Sequence, residues 1–208
     1  MTDRLATGIE LLDRRLHGGV PRGSITAVLS QPASQSELLL YELAAVRPAL
    51  YLTTVRAAED VRATLTRVRP EAMDVVVSGI DPGAPVAETL ELVDELPEQS
   101  TLIVDPIDAF ERLPAGEYRT FLNELRSRLA AANAVGIFHC LDGRDVPPLR
   151  DTTEYVADVV FRLSTERRGE AVENYLTVPK FRGGQALEDV IKLSLTTDVD
   201  VDISRNLV

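Results

Sequence analysis

Few residues in this sequence combine chemical ability with a position at the end of an ordered segment. Asp105 closes the apolar run Thr101-Leu102-Ile103-Val104, and His139 and Cys140 close a second run that begins at Val135. A carboxylate, an imidazole and a thiol are groups that could move protons or attack an electrophile. The linear sequence pairs none of them with a legible nucleophile or base. His139 reads as a hydrogen-bonded histidine at the edge of the core, and Cys140 as a small buried hydrophobe. One cysteine excludes an internal disulfide and a cysteine-rich zinc site. The two histidines, His17 and His139, lack ligand spacing, so no metal is expected. A further local pattern is Ser34-Gln35-Ser36-Glu37 before Leu38-Leu39-Leu40, which has the S-x-x-E form of a capping box. It predicts that Ser34 caps a helix and that Glu37 lies in the first turn, where the dipole favours an anion.

The elements that must position these residues alternate. Runs rich in β-branched residues predict strands over 24–30, 49–54, 74–78, 101–105 and 135–140. Helical spacing of apolar residues predicts helices over 36–46, 58–68, 86–96 and 118–132, with Tyr41 facing partly outward. Glu59 and Asp60 open the second of these helices. Strand–helix alternation implies a parallel sheet covered on both faces. After a loop at 141–151 the pattern changes to strands over 157–163, 173–181, 189–195 and 199–203. These are expected as antiparallel additions at one edge. The expected fold class is α/β, as a single domain over residues 1–208 with no repeat or linker.

Composition limits function. The hydrophobic fraction of 45% and charged fraction of 26% fit one soluble domain with a full core. No apolar run approaches the ~18 residues of a membrane span. The polar start, Met1 to Thr7, lacks a signal-peptide core, so a cytoplasmic location is expected. The net charge is -11, and only Lys180 and Lys192 are lysines among 22 basic residues. Acid excess with almost no lysine resembles proteins of salt-in halophiles. At 1 M salt the Debye length is about 3 Å, and self-repulsion is screened. The same charge opposes contact with nucleic-acid phosphates, and high salt weakens such contact further. Arg14 with Arg15, Arg62 with Arg67 and Arg69, and Arg167 with Arg168 are the local basic patches that could offset this.

Thr7-Gly8-Ile9, Leu12-Asp13 and Leu16-His17-Gly18-Gly19-Val20-Pro21-Arg22-Gly23-Ser24 resemble the opening motif of the KaiC/RadA branch of the RecA superfamily. Further along, Thr101 to Asp105 looks like its Walker B strand. Leu149-Arg150-Asp151 with Tyr155-Val156-Ala157-Asp158 resembles a later family segment, and Lys180-Phe181-Arg182-Gly183 resembles its KxRG motif. The resemblance covers nearly the whole chain and implies a RecA-like sheet. It also implies side-by-side assembly, with the KxRG edge of one subunit facing the P-loop of the next.

The departures from that family direct the functional expectation. Where the P-loop reads G-x-P-G-S-G-K-[ST], this chain has Ser30-Gln31-Pro32-Ala33-Ser34-Gln35-Ser36-Glu37. Pro32 and Ser34 match. Ser30, Ala33 and Gln35 replace the glycines, Ser36 the lysine, and Glu37 the Mg²⁺-binding hydroxyl. P-loop glycines let backbone N–H groups converge on phosphate. Holding Ala33 or Gln35 at positive φ would cost about 1–2 kcal/mol each. The acidic positions after the second strand hold Val55 and Arg56, and neither is a general base. Asp105 is all that remains of the metal site, with a structural role. The expectation is a pseudo-ATPase without ATP or another cofactor, acting as a regulatory or scaffolding protein on protein partners. A catalytic paralogue of the same fold is the expected partner, with a homo-oligomer as the variant of that idea. Lys180 and Arg182 are its partner-facing candidates. The alternatives are an ATP sensor without turnover and an accessory protein of DNA recombination or transcription.

Overall fold

Residues on alternate faces of a strand must each meet a covering layer, and the apolar runs of this chain supply both faces. In the computed structural model, which describes residues 4–81, 83–196 and 199–201, those runs become the centre of a nine-stranded sheet. The chain begins with β1 (Arg4–Leu5), α1 (Glu10–Arg15) and β2 (Val20–Pro21), where β1 and β2 pair antiparallel. The central elements are β3 (Ile25–Ser30), α2 (Ser36–Ala45), β4 (Ala49–Thr53), α3 (Ala58–Val68), β5 (Val75–Gly79), α4 (Pro85–Val93) and β6 (Thr101–Asp105). A short 3-10 helix (Ile107–Arg112) then leads to α5 (Ala115–Ala131), β7 (Val135–Leu141) and α6 (Arg150–Val156). The chain closes with β8 (Val159–Arg168), β9 (Ala171–Phe181), β10 (Ile191–Leu195) and β11 (Val199–Val201).

The strand order is β11-β10-β9-β8-β3-β7-β6-β4-β5. Strands β8, β3, β7, β6, β4 and β5 run parallel, and β9, β10 and β11 add antiparallel at one side. On one face Val28, Tyr51, Ile103 and Ile137 pack with Leu39, Leu40 and Leu43 of α2 and Val61 and Leu65 of α3. On the other, Ala27, Leu29, Leu50, Leu52, Leu102 and Phe138 pack with Phe121, Leu122, Leu125 and Leu129 of α5. The expected α/β class and two-faced cover are therefore present.

One strand differs from expectation. The 157–163 segment is not an antiparallel addition. β8 lies parallel to β3, with Thr26 opposite Val159 and Ser30 opposite Leu163, and only its other edge meets β9 antiparallel. Helix α6 makes this possible, because a parallel neighbour needs a crossover connection. Its seven residues, RDTTEYV, carry too few apolar positions to reveal a helix by periodicity. Tyr41 also differs from its expected partly outward orientation, since it is fully buried. Of the strand expected at 199–203, residues 202 and 203 lie outside the described residues.

The opening motif has a structural explanation. Asp13 Oδ1 accepts hydrogen bonds from the Thr7 amide at 2.6 Å and the Thr7 hydroxyl at 2.8 Å, while Oδ2 accepts from the Gly8 amide at 3.3 Å. These bonds close the turn into α1, and Leu12 and Leu16 enter the core beneath it. Gly19 has φ +106°, and a Cβ there would lie 2.0 Å from the Leu5 carbonyl oxygen. Only glycine satisfies both the dihedral and the close approach of β1 to β2.

Candidate functional site

Open α/β sheets place ligands beyond the carboxyl ends of their parallel strands. Four side chains meet at that end here, all on the face covered by α2. Ser30 follows Val28 by two positions, His139 follows Ile137, and Asp105 follows Ile103; Tyr51 joins them from β4. The N-terminus of α2 brings Ser36 down onto the same group, and Tyr41 enters one turn and a half later.

These residues form one continuous polar network. His139 Nδ1 lies 2.6 Å from Asp105 Oδ1. His139 Nε2 lies 2.8 Å from Ser30 Oγ and 3.1 Å from Ser36 Oγ. Asp105 Oδ2 accepts from the Tyr51 hydroxyl at 2.5 Å and from Arg56 Nη2 at 2.7 Å. Arg56 also donates to the Tyr41 hydroxyl at 3.1 Å. Ser30, Ser36, Asp105 and His139 are all buried. Burial alone would raise the Asp105 pKa, but the His139 and Tyr51 hydrogen bonds and the Arg56 charge outweigh it and hold the carboxyl at about 2. Burial, the Asp105 charge and the Tyr51–Asp105 hydrogen bond push the Tyr51 phenol well up. The carboxylate is therefore the fixed charge of the network, and the Tyr51 hydroxyl is a donor to it.

A solvent-open hollow of ≈ 320 Å³ lies over this network, with Ser36, Glu37, Arg56, Asp105 and His139 in its wall. Glu37 sits in the first turn of α2 as expected, but the capping box does not form. The N-cap is Gln35, with no side-chain cap bond, and the Ser34 hydroxyl donates instead to the Gln31 carbonyl at 2.6 Å. That bond turns Ser34 back into its own loop, so it cannot reach the amides of α2. Ala33 and Gln35 do not adopt positive φ, since among the described residues only His17, Gln99 and Asn133 do so without being glycine.

A family model described as "Family of unknown function (DUF7125)" matches residues 4–208. The chain belongs to this family. A search of the curated proteins finds no match. Among solved structures, the chain is similar to the crystal structure of the KaiC-like protein PH0186 from Pyrococcus horikoshii OT3. The TM-score is 0.78 at 14% identity, covering 97% of this chain and 100% of that one. This DUF7125 member therefore has a KaiC-like, RecA-type fold.

The remaining sequence candidates lie apart from the hollow. Lys180 donates to the Glu154 and Tyr155 carbonyls, each at 2.7 Å, and Arg182 donates to the Tyr155 carbonyl at 2.9 Å. Both cations thus bind the last turn of α6, where carbonyls lack intrahelical partners. Desolvation and the neighbouring Arg182 charge lower the Lys180 pKa. One basic patch is dispersed: Arg69 is buried against Glu42 at 2.5 Å, and Arg62 donates to the Val77 carbonyl. Arg168 pairs with Glu166 and Glu173. Cys140 is fully buried, and desolvation pushes its thiol well up. Among the described residues, no group of three or more His, Cys, Asp or Glu is placed to hold a metal, and no helix is long and apolar enough to cross a membrane.

Spacing along the sequence does not connect Ser30, Ser36 and His139 to Asp105. Arg56, expected only as the replacement of a general base, is the cation that neutralises Asp105. The available signal was parity: Ser30, Asp105 and His139 each lie two positions after an apolar residue of the same strand face, Val28, Ile103 and Ile137.

Proposed function

We propose that this protein is a RecA/KaiC-like pseudo-ATPase with a regulatory or scaffolding role, acting on protein partners of its own fold. The observation that carries this reading is the state of Asp105. Its two oxygens are held by His139, Tyr51 and Arg56, so the carboxylate that would serve a metal is neutralised from within. The rest of the site supports the same reading. Ser36, at the position of the phosphate-binding lysine, is tied to His139, and Glu37 adds a negative charge at the helix N-terminus that phosphate would use. Positions 33 and 35 have no positive φ, the backbone alternation from which a phosphate-cradling nest of amides is built, and this supports the same reading. These residues do not fit Mg²⁺–nucleotide.

Titration calorimetry with ATP and Mg²⁺ tests the absence of binding. No heat beyond dilution is expected, and saturable binding in the micromolar range would refute it. A pulldown at high salt, followed by identification of the bound proteins, tests the partner half. Capture of a catalytic protein of the same fold is expected. Replacing Lys180 and Arg182 together with alanine should weaken that capture. Retention of full binding by the folded double variant would remove these residues from the interface.

A further inference from the structure

The network over which the hollow opens has the connectivity of an acyl-transfer unit. Asp105 Oδ1 contacts His139 Nδ1 at 2.6 Å, and His139 Nε2 contacts Ser36 Oγ at 3.1 Å. The carboxylate fixes the imidazole so that Nε2 faces the hydroxyl, which is the geometry a general base needs to take its proton. Ser36 stands at the first position of α2, directly after a strand and a tight loop. The first amides of a helix have no intrahelical acceptor, and donors of that kind are what an oxyanion on Ser36 would draw on. Two serines reach Nε2, and the hollow separates them: Ser36 lines its wall, whereas Ser30 lies in the buried end of β3.

We propose that Ser36, His139 and Asp105 form a nucleophile, a base and its positioning carboxylate, and that the hollow admits small acyl esters. This goes beyond the reading above, because acyl transfer uses neither a phosphate cradle nor a metal. Ser36 Oγ attacks the carbonyl carbon while its proton passes to His139 Nε2. The tetrahedral oxyanion collapses, the C–O bond to the alcohol breaks, and the alcohol leaves with the proton from His139. Water then attacks the acyl-Ser36 ester by the same route, releasing a carboxylic acid and restoring the hydroxyl. Arg56 serves as a positioning residue by holding the outer oxygen of Asp105. The size of the hollow, ≈ 320 Å³, lies at the low end for small-molecule sites and limits the acyl group to a short one.

The test uses the full-length protein in molar KCl with a fluorophosphonate probe and, separately, a nitrophenyl acetate ester. Intact mass should show one probe adduct, and peptide mapping should place it on Ser36. Ser36→Ala should abolish the adduct. His139→Gln should slow labelling about 100-fold or more, the usual scale of general-base loss. Thermal melts establish that each variant folds. If His139→Gln does not fold, Ser36→Ala decides alone, because it deletes one oxygen. No adduct on the folded wild type, an adduct mapped to Ser30 or elsewhere, or an adduct that survives Ser36→Ala would each overturn the proposal. ATP calorimetry on the same sample reads out the pseudo-ATPase reading independently.

Discussion

Asp105 and Glu111 are both buried carboxylates, and burial raises both pKa values, yet the net shifts run in opposite directions. Glu111 is fully buried and receives both oxygen contacts from Arg150 Nε, at 3.0 and 2.9 Å, with Thr153 as a further donor. Desolvation still raises its pKa. Arg150→Ala should therefore cost about 3–5 kcal/mol in urea unfolding, since it leaves that carboxylate buried without its cation. A cost within the range of a surface substitution would contradict this account. Asp105 behaves differently, because its folded pKa of about 2 lies below the ordinary carboxylate value. A depressed folded pKa adds stability above the unfolded pKa, and that stability is lost as pH falls through the folded one. The shift corresponds to about 2 kcal/mol. Asp105→Asn should be less stable than wild type by that order at neutral pH. The gap should shrink as pH falls from about 4 towards 2, and a gap independent of pH would show that the charge of Asp105 is not what the network uses.

At the scale of elements, the loop between β3 and α2 shows how far local sequence rules reach. The S-x-x-E pattern predicted a cap at Ser34, but the Ser34 hydroxyl turns back to the Gln31 carbonyl and the helix starts at Ser36. Ser34→Ala should then change stability by less than about 0.5 kcal/mol, rather than the ~1 kcal/mol of a lost cap. Chemical denaturation would decide between the two values. Strand and helix runs with strong periodicity were legible: α3 and β6 fall on their expected spans. Helix α6 was not, because the contacts of Arg150 and Thr153 with Glu111 lie about forty residues away in sequence. The polar site was hidden for the same reason. Ser30, Ser36, Asp105 and His139 come from β3, α2, β6 and β7, and only the parallel register brings them together. Departures from the P-loop pattern were visible residue by residue. What replaced it depends on side-chain contacts that sequence spacing does not encode.

For the whole molecule, net charge and fold lead to separate predictions. A charge of -11 carried with only two lysines should make the folded state self-repelling at low ionic strength. Melting temperature is therefore expected to rise from dilute buffer to multimolar KCl, where screening acts within about 3 Å. Equal melting at both extremes would sink the proposed adaptation to salt. The KaiC-like fold by itself says nothing of catalysis, since one fold hosts many functions. The claim that this chain is a pseudo-ATPase rests on its site, where Asp105 is closed off by Arg56, Tyr51 and His139. The most direct measurement is phosphate release from ATP and Mg²⁺ across the fractions of a final size-exclusion column at high salt. The account predicts release no greater than a buffer blank through the protein peak. Release that follows the peak and disappears in Asp105→Asn would contradict it.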